Sequence, residues 1–144
     1  MLEYLSHSAA DTEAVGARLA EWLKESGKRR AFVALFGEMG VGKTAFSRGF
    51  CRALGILDAR SPTYAIVNEY KKGEIPVFHF DMYRIESEDD LFSIGFDDYL
   101  SRDGYAISEW SENVEEYLPS DAVRVSIVRA NGENERLITL SIDF

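Results

Sequence analysis

The stretch "LFGEMGVGKTAFSRGF", Leu35 to Phe50, decides the fold. Gly37, Gly42, Lys43 and Thr44 satisfy G-x-x-x-x-G-K-[ST], with an additional glycine at Gly40, between an apolar run and a helical pattern. A phosphate cradle needs several backbone N–H groups turned inward, and glycine supplies the backbone freedom and clearance for that. Lys43 then offers a point charge for β- and γ-phosphates and Thr44 a hydroxyl for Mg²⁺. The helix that follows directs its positive end at the anion. A glycine-rich turn without a ligand is the plain alternative, but the strand before and the helix after argue against it.

Working outward, "RAFVALF" reads as a buried strand entering the loop, and "TAFSRGFCRALG" as a helix with Phe46, Phe50 and Leu54 on one face, ended by Gly55. Upstream, "DTEAVGARLAEWLKESG" carries Val15, Leu19, Trp22 and Leu23 at helical spacing, with Gly27 as its stop. Downstream, "SPTYAIVNEYKKGEIPVFHFDMYR" is expected to form a hairpin around Lys72-Gly73-Glu74. "SEDDLFSIGFDDYL" reads as one short acidic helix capped by Ser87, and "GYAISEW" as a strand. In "DAVRVSIVRANGENERLITLSIDF", Asn131-Gly132 signals a second hairpin. The expected architecture is a single α/β P-loop NTPase domain over residues 1–144, with a mixed parallel and antiparallel sheet flanked by helices.

Composition limits the function. The chain has 144 residues, 16 Lys+Arg against 25 Asp+Glu and a formal net charge of −9, with a pI near 4.7. Such a surface repels a polyanion, and the only basic clusters are Lys28 to Arg30 and Lys71-Lys72, so tight direct nucleic-acid binding is disfavoured. The longest apolar run, Ala31 to Phe36, is too short to span a membrane, and the opening residues lack the pattern of a leader. A single cysteine, Cys51, excludes an internal disulfide framework, and a cytoplasmic location is expected.

Two acids end strand-like runs, Asp81 after "VFHF" and Glu109 after "AIS". Either could reach Mg²⁺ directly, reach it through water, or orient an attacking water. His79 reads as packing or hydrogen bonding, because the other histidine, His7, is too distant in sequence for a metal pattern. "SPT", Ser61 to Thr63, is either a γ-phosphate sensor or a turn opening a strand.

The ordered set "GEMGVGKTAFSRGFCRALG", "SPTYAIVNEY", "FHFDMYR" and "ISEW", with "DTEAVGARLA" before it, resembles the TsaE (YjeE) family, bacterial P-loop ATPases of tRNA threonylcarbamoyladenosine synthesis. The resemblance spans nearly the whole chain. It implies an ATP- and Mg²⁺-dependent component working with TsaB-like and TsaD-like proteins, which suits a surface that need not grip tRNA itself. Carried over by position, Thr12 lies near the nucleotide, and the segment Gly37, Glu38, Met39, Gly40, Val41, Gly42, Lys43, Thr44 and Ala45 surrounds the phosphates. Thr44 and Glu109 would ligate Mg²⁺, and Asp81 takes the Walker-B-like place, either positioning water or anchoring the metal's ligands from behind. "SPT" becomes a switch-like segment. Where many members carry a second threonine this chain has Ala45, so no hydroxyl role falls there.

Two other classes share the loop. A small-molecule kinase would need a basic lid, for which Arg48, Arg52, Arg60 and Arg84 give no clustered candidate. A nucleotide-dependent interaction switch would bind without appreciable turnover. No N-K-x-D base-reading signature is present, which favours ATP over GTP.

Overall fold

The computed structural model describes residues 1–60, 62 and 66–142. Seven strands form one sheet: β1 (Leu2–Ser6), β2 (Arg30–Phe36), β3 (Val67–Tyr70), β4 (Val77–Asp81), β5 (Gly104–Glu109), β6 (Val123–Arg129) and β7 (Arg136–Ser141). Their spatial order is β1-β7-β6-β2-β5-β4-β3. The central strands β6, β2, β5 and β4 run parallel, and antiparallel pairings of β1 with β7, β7 with β6 and β3 with β4 complete both sides. The expected mixed α/β sheet is therefore present.

β2 sits between two parallel neighbours, which explains its unbroken apolar sequence: a strand covered on both faces has no solvent side to alternate with. Val33 and Leu35 enter the core under α1 (Ala9–Glu25) and α2 (Lys43–Ala53), alongside Leu19, Phe46, Phe50 and Ile127. Phe32 and Ala34 point the other way, toward Phe78, Phe80, Ala106 and Phe96. Burying each of the larger of these side chains, such as Val33, Leu35 or Phe32, contributes about 1.5–3 kcal/mol.

The α1–α2 crossing fixes the position of the loop. A Cβ on Gly16 would run into the Phe46 carbonyl, and one on Gly49 into the Glu13 carbonyl, so the two backbones meet where side chains would normally separate them. Ser8 caps α1, its hydroxyl accepting from the Asp11 amide at 3.1 Å. The apolar stripe Val15, Leu19 and Leu23 is buried as its spacing requires, but Trp22 is 39% exposed at the edge of that stripe.

Several expectations from sequence need correction. The acidic segment is two helices, α3 (Glu88–Ser93) and α4 (Phe96–Ser101), separated by Gly95 at φ 74°. That left-handed residue turns the chain so that Phe96 enters the core while Phe92 stays 82% exposed. The β6–β7 hairpin exists, but its last pair is Arg129 with Arg136, so residues 130–135 form the connection rather than a two-residue Asn-Gly turn. It is closed by Ala130 N–H to Glu135 O at 3.1 Å and by Gly132 N–H to the Glu135 carboxylate at 2.6 Å. "GYAISEW" ends as a strand at Glu109, because Trp110 adopts φ 59°. The switch-like reading of Ser61 and Thr63 concerns residues outside those described.

Candidate nucleotide and metal site

The loop leaves β2 at Phe36 and returns as α2 at Lys43. Gly37, at φ 153°, is pressed against β6: a Cβ there would lie 2.6 Å from the Ile127 carbonyl oxygen and 2.8 Å from Val41 Cγ2. Gly42 caps α2 at φ 118°, a conformation that L side chains rarely adopt. Glu38 accepts from Arg129 Nε at 2.8 Å, Met39 is 71% exposed, and Val41 and Ala45 are buried. Val41 and Ala45 also line a cleft beside Thr12. The Val41 carbonyl is itself held by Arg136 Nε at 3.1 Å.

Lys43 is buried, with Nζ donating to the Gly37 carbonyl at 2.7 Å and lying 4.0 Å from the Trp110 ring centroid. Trp110 in turn packs on Tyr83, with ring centroids 5.1 Å apart. One turn further on, Glu112 Oε2 accepts the Gly37 amide at 2.9 Å and ties the short 3₁₀ segment Ser111–Tyr117 to the base of the loop. Glu112 was not anticipated from sequence. Nothing in its spacing marks it apart from its nearness to the end of β5.

The acids gather because parallel strands end together. In the β4–β5 register Asp81 stands directly opposite Glu109, beside the loop at the C-terminal edge of the sheet. Thr44, in the first turn of α2, directs its hydroxyl at Glu109 Oε1, 3.4 Å away, and Glu109 Oε2 lies 2.7 Å from His79 Nε2. Asp81 is half-buried and accepts the Tyr83 amide at 3.0 Å, which places it at the rim of the group. Among the described residues no cluster of three or more His, Cys, Asp or Glu suited to a metal exists. Mg²⁺ needs oxygen donors and usually keeps waters and substrate oxygens, so a hydroxyl and a buried carboxylate facing each other at the mouth of a phosphate loop fit it. Thr44 and Glu109 are the residues that would hold the ion.

Thr12 meets the loop from the other side. Its hydroxyl is hydrogen-bonded to Ser6 at 2.7 Å, and its methyl faces the Cβ direction of Gly42 at 3.7 Å. A cleft of about 340 Å³ opens there, lined by Ser8, Thr12, Gly40, Gly42, Asn134 and Arg136. The structure therefore brings Thr12, the loop, Thr44, Asp81 and Glu109 around one corner of the sheet. Asn134 and Arg136, which complete the cleft from the β6–β7 connection and β7, were not foreseen.

A central parallel strand feeding a glycine loop into a helix N-terminus, with carboxylates on neighbouring strand ends, defines the P-loop class. Comparison with known proteins is more specific. Residues 6–138 match the family described as "Threonylcarbamoyl adenosine biosynthesis protein TsaE". The chain is 35% identical over 141 residues to the tRNA threonylcarbamoyladenosine biosynthesis protein TsaE of Bacillus subtilis (strain 168), covering 97% of this chain and 85% of that protein. It is 35% identical over 133 residues to the protein of that name in Treponema pallidum (strain Nichols), covering 91% and 95%. The crystal structure of YdiB from Bacillus subtilis superimposes with a TM-score of 0.80 at 32% identity, covering 98% of this chain and 84% of that one. The chain belongs to the TsaE family.

Proposed function

We propose that this protein serves tRNA threonylcarbamoyladenosine biosynthesis, the role its family carries, as a Mg²⁺-dependent component that binds and hydrolyses ATP in the cytoplasm. The observation that supports this most directly is the alignment of loop and acids. The Gly37–Thr44 cradle ends at the N-terminus of α2, and Thr44 faces Glu109 at 3.4 Å. In this reading the loop amides and Lys43 bind the phosphates, Thr44 and Glu109 hold Mg²⁺, and Asp81 orients water from the rim. A bound Mg²⁺ would neutralise charge that develops on the phosphate oxygens. The cleft beside Thr12 is where the nucleoside would lie. Among the described residues no helix is long and apolar enough to cross a membrane.

The same site argues for slow turnover by the isolated chain. Lys43 is engaged with the Gly37 carbonyl, and the arginines beside the loop are occupied, Arg129 by Glu38 and Arg136 by the Val41, Glu133 and Glu135 carbonyls. Neither of these two arginines is poised to stabilise transition-state charge. A group supplied in trans raises phosphoryl-transfer rates by roughly 10³ to 10⁵ in systems that use one. TsaB-like and TsaD-like proteins are the partners expected to provide or order it. The acidic surface disfavours free tRNA as that partner. The alternative is a switch that binds nucleotide without appreciable turnover even when its partners are present.

The test is phosphate release with and without the two partners, and ATP binding by calorimetry at graded Mg²⁺. Lys43→Ala should weaken nucleotide binding, Glu109→Gln should raise the Mg²⁺ needed, and Asp81→Asn should slow hydrolysis while largely sparing binding. ATP binding and hydrolysis unchanged in Lys43→Ala and Glu109→Gln would refute the site. Fast hydrolysis by the free chain with no response to partners would refute the partner dependence.

A further inference from the structure

His79 lies on β4, two residues before Asp81, and is 2% exposed. A histidine in the middle of a strand flanked by Phe78 and Phe80 reads as a core residue, and by burial it is one. Its polar contacts are not those of a packing residue. Nε2 is 2.7 Å from Glu109 Oε2, while Nδ1, equally buried, has no hydrogen-bond partner among the described residues. Toward an ionised carboxylate, which can only accept, the donor of this hydrogen bond is the Nε2 N–H of His79.

The geometry divides the two oxygens of Glu109 between two tasks. Oε2 is hydrogen-bonded to His79 from inside the sheet, and Oε1 faces Thr44 Oγ1. The strand register explains how His79 reaches the carboxylate. His79 pairs with Ile107 and Asp81 with Glu109, so the His79 ring reaches one rung along the sheet to the carboxylate. The Glu109 side chain is 9% exposed, so water cannot readily take over the donor's role. A short hydrogen bond from a buried, sterically confined ring fixes the carboxylate's rotation more firmly than water would.

We propose that His79 is a positioning residue for the metal site, setting the orientation in which Glu109 presents Oε1 to Mg²⁺ beside Thr44. This rests on the reading of Thr44 and Glu109 as the Mg²⁺ ligands. Partners that orient a metal-binding side chain typically cost about 10- to 100-fold in metal affinity when removed. The role requires an N–H at the place of Nε2. Glutamine can supply one from a similar reach, whereas leucine cannot, and asparagine is polar but too short.

The experiment measures ATP affinity by calorimetry over a Mg²⁺ series and in EDTA, for the wild-type chain, His79→Leu, His79→Asn and His79→Gln, with thermal unfolding of each. The Mg²⁺ midpoint is expected to rise about tenfold or more in His79→Leu and His79→Asn. It should stay close to wild type in His79→Gln, with metal-free ATP affinity unchanged throughout. In a Glu109→Gln background the His79→Leu effect should vanish, because the oriented oxygen is already altered. Wild-type midpoints in His79→Leu and His79→Asn would overturn the proposal while leaving the metal site intact. Equal loss of metal-free affinity, or folding of His79→Gln alone, would assign His79 to general stability and overturn it too. If Mg²⁺ has no effect on ATP binding by the wild-type chain, the metal-site reading itself fails and the proposal falls with it.

Discussion

On one face of the sheet α1 and α2 cross with backbone against backbone at Gly16 and Gly49, and the glycine loop is the direct N-terminal extension of one of them. On the other face α3 and α4 are six residues each and hold their place through rings: Phe96 meets Phe32 and Phe80 edge-on at 5.8 and 5.7 Å, and Tyr99 packs on Phe78 and Phe80. The crossing at Gly16 and Gly49 leaves no room for an added Cβ, and the second face depends on large side chains. The difference follows the division of labour in the site. Phosphate binding needs a loop held to within a fraction of an ångström. On the opposite face α3 and α4, by contrast, stabilise the strands through those rings, and Trp110 and Glu112, beyond the end of β5, reach from that side to the loop.

That contrast can be broken by mutation, beginning with the largest effect. Phe96→Ala removes a buried ring and should destabilise the fold by about 3–5 kcal/mol in urea unfolding, while the protein that remains folded keeps its ATP affinity. A matching loss of affinity would show that the aromatic face does shape the loop. Gly49→Ala adds one carbon and should cost about 1–3 kcal/mol by overpacking. Here ATP affinity should fall as well, because relief of the clash must move α2 and with it Gly42. Unchanged affinity would mean that the crossing yields away from the loop.

Cys51 tests the same face by pH. Burial against α1 and the sheet pushes its thiol from an ordinary 9.0 up to about 12. The folded state therefore keeps the thiol neutral over a range where the unfolded chain ionises it. The associated stability is fully present below pH 9 and is lost as pH rises from there toward 12. Thiol reagents at pH 8 should label Cys51 only when denaturant unfolds the chain, and rapid native labelling would show that α2 opens locally. The smallest effect belongs to Glu13, which links α1 to α2 through Arg48 Nε at 2.6 Å and Arg52 at 3.4 Å. The hydrogen bond from Arg48 holds its carboxyl below the usual value of 4.5. Its contribution is present above that pH and disappears as pH falls through the lowered value. Glu13→Gln should cost less than about 1 kcal/mol at pH 7, with the difference from wild type vanishing in acid.

The parts legible from sequence were those written in local pattern. The loop glycines, the stripe of α1 and the continuous apolar run of β2 each carry their own periodicity or backbone demand. β1 escaped notice because Leu2 and Leu5 are exposed and its inward pattern is faint. The break between α3 and α4 was concealed in a single glycine, which fits a helix interior as well as a turn until the core requires Phe96. In the site, Lys43, Thr44, Asp81 and Glu109 were readable from motif and strand ends. Contacts fixed by register and long separation were not: the His79–Glu109 hydrogen bond, the Glu112 carboxylate on Gly37 and the Arg136 guanidinium on Val41. A linear sequence shows which residues are able to meet, but the alignment of parallel strands determines which do.

The pairing of β1 with β7 also bears on the order of folding. Leu2 to Ser6 leave the ribosome more than a hundred residues before their partners, Arg136 to Leu140. The first strand must therefore wait unpaired while the P-loop and its parallel neighbours are made, and contacts of such long separation slow folding. Ser6, at the end of that strand, holds the Thr12 hydroxyl beside the loop. The cleft proposed for the nucleotide thus reaches its final shape only when synthesis of β7 is done, so a nascent chain carrying an intact glycine loop would still lack the wall that Arg136 and Thr12 give it.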